Sequence, residues 1–221
     1  MPAVAIKLNA PSVHTPPKPP RITEAEYEAI LAKSEDKLEF RDGRIIAMAG
    51  GSPSHSLVKS NLGHCFKGAL AGRGCRVFDS DMKVKVEATG LNTFPDLSIV
   101  CHKPRFTANG LTLLNPGLIA EALSPATEAY DRGEKFWHYR HLPELRCYVL
   151  VSTAQALVEV YERQADDSWR LTSFDGWQAV MRLEELRVEI PLSGIYALTA
   201  LDPDQPLDET ADVADEEAPQ A

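Results

Sequence analysis

A chain of 221 residues with 44% hydrophobic and 25% charged positions is long enough for one domain with a sizeable core and has the balance of a soluble globular protein. No stretch approaches the roughly 18 apolar residues that span a bilayer, and the opening MPAVAIKLNAPS lacks a signal peptide's apolar run and cleavage site, so a cytoplasmic protein with no membrane partner is expected. The net charge of −9 argues at first sight against a nucleic-acid partner, but residues 202–221 carry eight acids and no Lys or Arg, leaving 24 acids against 23 bases, a net −1, in the rest of the chain, so charge permits DNA binding without indicating it.

Residues 1–20 hold six of the sixteen prolines and read as a flexible leader. One domain is expected over 21–200, followed by a disordered acidic tail over 201–221. Thr23-Glu24-Ala25-Glu26 fits a capping box and opens a helix to about residue 32. Residues 37–41 and 44–48 flank Asp42-Gly43, a strong hairpin signal. A second helix is predicted over 55–70, with Val58, Leu62, Cys65, Phe66 and Ala69 on one apolar face. Strand-like runs follow at 75–78, 82–87, 94–101 and 118–123. A third helix is expected at 128–141, then strands at 146–152, 156–163 and 169–173. Helices alternating with groups of strands predict a mixed α/β domain around a central sheet. The four cysteines show no metal-type spacing and are expected to be reduced, buried hydrophobes rather than a zinc site.

Two carboxylates stand out. Asp96 begins the apolar run Leu97-Ser98-Ile99-Val100, and Glu121 interrupts Leu118-Ile119-Ala120-Glu121-Ala122-Leu123. A glutamate inside a buried strand is costly unless its charge is compensated. Pairing with Arg or Lys, or an exposed sheet edge, would explain either acid alone. Two such acids on successive strands, near one end of a sheet, are better explained by a divalent cation, and hard oxygen ligands suit magnesium.

Pro95-Asp96 followed by Glu121-Ala122-Leu123-Ser124-Pro125 resembles the PD-(D/E)xK nuclease motif. With Tyr130-Asp131-Arg132-Gly133-Glu134-Lys135, Tyr139-Arg140, Glu39, Asp42-Gly43 and Ser52-Pro53-Ser54-His55, it resembles more narrowly the Uma-two family of restriction-endonuclease-fold proteins over residues 23–196. The resemblance implies a restriction-endonuclease-like core, a central mixed β-sheet flanked by helices. Its departure is Leu123, which stands where the parent motif has lysine; side-chain alternation puts it on the face of Glu121, but it carries no charge. The resemblance implies that Lys135 supplies the ammonium instead. The alternative for Lys135 is an ion pair with Asp131 one helical turn earlier. Glu39 and His55 match residues at the family's site; their alternatives are a solvent-facing strand residue and a helix cap or packed side chain.

The activity implied is hydrolysis of DNA phosphodiesters. Asp96 and Glu121 would hold magnesium (or manganese) with the Ala122 carbonyl as a further ligand, Lys135 would orient water or stabilise charge, and Glu39 and His55 would support the site from its rim. A homodimer is a further expectation, because double-strand cleavage often needs two sites. The alternative is a non-catalytic nucleic-acid- or protein-binding module that keeps the fold.

Overall fold

A computed structural model describes residues 21–48 and 50–209. The expected leader at 1–20, and residues 210–221 of the expected tail, lie outside these described residues. Thr23 closes the anticipated capping box on helix α1 (Glu24–Leu31), with its hydroxyl accepting the Glu26 N–H and the Glu26 carboxylate accepting the Thr23 N–H. Strands β1 (Leu38–Arg41) and β2 (Arg44–Ala47) form the predicted hairpin. Asp42 and Gly43 both take positive φ at its turn, a conformation in which glycine is unstrained.

Helix α2 (Pro53–Ala69) starts two residues earlier than the apolar spacing suggests, because Ser52 caps it and Pro53 occupies its first turn. Val58, Leu62 and Phe66 are its fully buried stripe. After α2 come β3 (Arg76–Asp79), β4 (Lys83–Val86), β5 (Leu91–Thr93), β6 (Leu97–Val100), the two-residue β7 (Thr112–Leu113) and β8 (Leu118–Leu123). The run expected as one strand over 94–101 is thus confined to Leu97–Val100, with Phe94-Pro95-Asp96 left outside it because the proline cannot donate to a ladder.

The predicted third helix consists of α3 (Glu128–Tyr130), a π-helical turn at Asp131–Lys135, and α4 (Phe136–Tyr139). It carries the chain from β8 to its parallel neighbour β9 (Cys147–Ser152). Then come β10 (Leu157–Arg163) and β11 (Trp169–Asp175), a hairpin of β12 (Val180–Leu183) and β13 (Val188–Pro191), and a last turn α5 (Leu192–Ile195).

The strands form two large sheets. A six-stranded mixed sheet runs β11-β10-β9-β8-β6-β3 and a five-stranded sheet runs β2-β1-β5-β4-β7. The fold is therefore the expected mixed α/β arrangement with helices against central sheets. Alternation along β8 explains how the core divides. Leu118, Ala120 and Ala122 face α2, β12, β13 and α5, whereas Ile119 and Leu123 join Tyr139, Tyr148 and the apolar residues of β4 and β5. Glu121 shares this second face and interrupts its apolar surface.

Two expectations change. Cys75 and Cys101 are joined by a disulfide, because the β3–β6 register that pairs Arg76 with Val100 brings the next positions side by side; Cys65 and Cys147 are free. The expected start of the tail falls inside a packed segment. Asp202 is buried and accepts the N–H groups of Leu198, Asp204 and Gln205, while the Glu209 carboxylate accepts the Ser54 N–H at 2.9 Å in the first turn of α2. No helix among the described residues is long and apolar enough to cross a membrane.

Candidate active site

The antiparallel β6–β8 register pairs Leu97 with Ala120, so the next step outward sets Asp96 opposite Glu121. Each carboxylate is held by the other strand's backbone. Glu121 Oε2 accepts the Asp96 N–H at 3.1 Å, and Asp96 Oδ2 accepts the Ala122 N–H at 2.9 Å. The two sequence-predicted acids therefore meet at one strand end, where the proline break frees Asp96 from ladder pairing.

Glu121 is 3% exposed. Its Oε1 lies 2.9 Å from Lys135 Nζ and accepts the Tyr139 hydroxyl at 3.0 Å. Burial pushes the Glu121 carboxyl up to about 8, with Lys135 opposing and Asp131 and Asp96 adding to the rise. Leu123 lies on the same face of β8 as Glu121. Its side chain packs in the apolar core, and the Lys135 ammonium arrives on the same face from the π-helical turn. Such turns insert a residue into a helix and recur at functional positions. Here the turn brings both Asp131 and Lys135 inward, 3.3 Å apart, so the ion pair weighed for Lys135 coexists with its contact to Glu121. Burial favours the neutral amine, but Glu121, Glu39 and Asp131 reverse that and hold the Lys135 ammonium well above its ordinary pKa.

Glu39 is a correction to the rim position expected for it. It is buried, accepts the Thr93 hydroxyl, and its Oε1 lies 3.7 Å from Lys135 Nζ. Docking of the five-stranded sheet against the six-stranded one puts it on the floor. His55 does stand at the rim. Its Nε2 bonds to the Ala122 carbonyl at 3.0 Å and lies 3.6 Å from Asp96 Oδ2. Lys59, four residues along α2 and so on the same face, places Nζ 3.2 Å from Asp96 Oδ1. Burial would raise the Asp96 carboxyl, but His55, Lys59 and the Ala122 N–H together hold it below the ordinary range.

Sequence reasoning assigned no role to Lys59 or Tyr139, and weighed Asp131 only as an ion-pair partner of Lys135. The available signals were His55–Lys59 and Asp131–Lys135–Tyr139, successive four-residue steps along a helix. Four carboxylates (Glu39, Asp96, Glu121, Asp131) thus surround two lysines. Among the described residues no three His, Cys, Asp or Glu side chains group to hold a metal ion. The donor set on offer is two adjacent carboxylates and the Ala122 carbonyl, whose second lone pair is left by the His55 bond. All are hard oxygens. That fits magnesium, which takes one or two carboxylates and keeps several waters, rather than a cation caged by protein.

The profile of the Uma2 family, described as "Putative restriction endonuclease", matches residues 24–193. Two relatives from Synechocystis sp. are described as uncharacterized proteins. Protein slr1290 is 38% identical over 172 residues, 77% of this chain and 88% of the relative, and protein sll1609 is 32% identical over 168 residues, 76% and 95%. A crystal structure from Anabaena variabilis, described as a "putative nuclease belonging to DUF820", superimposes with a TM-score of 0.61 at 18% identity, over 74% of this chain and 91% of its own. That likeness establishes a shared fold, the restriction-endonuclease-like one. With its profile match spanning both acids, the π-helical turn and Lys135, the chain belongs to the Uma2 family.

Proposed function

We propose that the protein is a metal-dependent endonuclease that hydrolyses DNA phosphodiester bonds. The observation that carries the reading is the cross-strand pair Asp96–Glu121, each acid locked by the other strand's N–H, with an ammonium 2.9 Å from Glu121. The name of the family and the description of the Anabaena protein support the same class of reaction.

Asp96, Glu121 and the Ala122 carbonyl would hold magnesium or manganese. A divalent ion bound there supplies Lewis-acid chemistry, lowering the pKa of a water and neutralising phosphate oxygens. The protein's part is positioning. The Asp96 and Ala122 N–H groups and the Tyr139 hydroxyl fix both carboxylates in advance. Lys135 supplies a positive charge that opposes the rise burial imposes on the Glu121 carboxyl, and a divalent ion bound there would favour its ionised form further. His55 fixes the direction of the Ala122 carbonyl. Hydrolysis adds water oxygen to phosphorus and releases the ester oxygen as a hydroxyl.

The test is magnesium-dependent nicking of supercoiled plasmid by wild type, Asp96→Ala and Glu121→Ala. Nicking by the wild type and its loss in both variants is expected; both variants cutting at the wild-type rate would end the reading. One observation favours the non-catalytic alternative. The Lys135 side chain is only 5% exposed and is already engaged by three carboxylates, as a structural ion pair would be. A protein that is thermally stabilised by magnesium but cuts no nucleic acid would support that reading.

A further inference from the structure

We propose that the ammonium groups that grip the substrate are those of Lys59 and Lys37, which form a phosphate subsite at the mouth of the carboxylate pocket, and that Lys135 does not touch it. The inference rests on the nucleic-acid reading above and gives it a substrate contact. Lys135 is sealed beneath Glu121, Glu39 and Asp131, whereas the side chains of Lys59 and Lys37 are 28% and 39% exposed.

Three separate elements converge to build the subsite. Lys37 lies two residues before Glu39, so strand alternation sets it on the same face, outside the buried acid. Lys59 rises from α2 beside Asp96. Ser80 follows β3, whose last residue Asp79 pairs with Leu97, next to Asp96. Its hydroxyl oxygen accepts from Lys37 Nζ at 3.2 Å and from Lys59 Nζ at 3.4 Å. Two like charges thus point at one neutral oxygen. Their remaining partners are Asp81, at 2.7 Å from Lys37 and largely exposed, and Asp96 itself. A phosphate at Ser80 would replace the exposed Asp81 as the counter-charge of Lys37 and bridge it to Lys59, and it would stand next to the acid proposed to hold the metal. A nucleic-acid backbone supplies such anions at regular spacing, so the subsite takes a phosphate neighbouring the one that is cleaved.

The experiment uses the full chain, a fluorescein-labelled 20-base-pair duplex in chelator for binding, and plasmid nicking in magnesium for activity. Lys59→Gln and Lys37→Gln should each weaken binding about tenfold and lower the slope of log affinity against log salt by about one, the signature of one lost phosphate contact. Lys59→Arg should restore both, and thermal melting checks that each variant is folded. Lys135→Met should leave the salt slope unchanged. Wild-type affinity and slope in both glutamine variants would overturn the subsite. If wild type binds through these lysines but never cuts, the subsite stands and the hydrolytic reading falls; if it cuts while the variants keep wild-type binding, the reverse holds. A wild type that neither binds nor cuts removes both.

Discussion

Glu121 and Lys135 sit 2.9 Å apart in the interior, on elements that the chain reaches fourteen residues apart, and neither is tolerable there alone. The contact joins the most costly acid of β8 to a cation delivered by a π-helical turn. Removing the cation is therefore expected to be worse than removing an ordinary surface charge. Lys135→Met should cost ~3–5 kcal/mol of stability, because three buried carboxylates lose their shared counter-charge. A melting temperature lowered by roughly 10 °C is expected; a shift under 2 °C would show that the ammonium is dispensable.

Tyr139 is fully buried and gives its hydroxyl to the same Glu121 oxygen. Tyr139→Phe keeps the ring and deletes the donor. Hydrogen bonds to charged groups contribute about 1.5–3 kcal/mol, so chemical denaturation should register a loss of that size. Nicking should fall less than in Glu121→Ala, since the ligand itself remains.

Gly51 passes so close to His55 that a Cβ there would lie 2.3 Å from Nδ1. Gly51→Ala should displace the imidazole from the Ala122 carbonyl and reduce nicking about tenfold, equivalent to roughly 1.4 kcal/mol in the barrier. Overpacking should cost about 1 kcal/mol of stability. Rates and melts measured together separate the two effects, and full activity in the variant would remove His55 from the machinery.

His138 is buried, bonded through Nδ1 to the Thr89 hydroxyl and set edge-on to Trp137. Burial pushes its pKa below the ordinary value, as do Arg41 and His141, against opposing Glu134 and Asp42. The unfolded chain therefore binds this proton more readily than the folded one. The stabilisation is complete above the unfolded pKa of about 6.5 and is lost as pH falls through the lower folded value. Melting curves at pH 8 and pH 5.5 should show a smaller acid-induced drop for His138→Gln than for wild type; an equal drop would assign the effect to other groups.

The Cys75–Cys101 disulfide closes a loop with a sequence separation of 26. Cross-links of that span stabilise by ~3 kcal/mol through the unfolded state. Reductant should lower the melting temperature of wild type and leave Cys75→Ala/Cys101→Ala unaffected; equal melts in both conditions for wild type would show the bond contributes nothing.

What could be read in the sequence was whatever depended on one segment. β8 appears at its predicted limits because six apolar-framed residues make a buried strand, and Glu121 was conspicuous for breaking that frame. Asp96 was marked by the proline before it. Lys59 was not legible, because its role arises only when α2 lies across the end of β6. The burial of Glu39 needed the docking of one sheet on another. The hairpin β12–β13 was obscured by its turn, where Arg187 rather than glycine takes the positive φ. Asp202 looked like the first acid of a tail, and its burial comes from three local N–H donors that composition does not count. The disulfide required the register of β3 against β6.

Glu39 belongs to one sheet, Glu121 to the other, and the Lys135 ammonium lies within 3.7 Å of both. That single nitrogen is a rivet through the seam between the layers. A local opening that lifts the β1–β2 hairpin would also uncover the ammonium and the acids beneath it, so the site cannot loosen in private. Amide hydrogens of β1 and of the Asp96–Glu121 strand end should therefore belong to one cooperative exchange unit, and the lifetime of the assembled pocket is set by the weaker of the two layers.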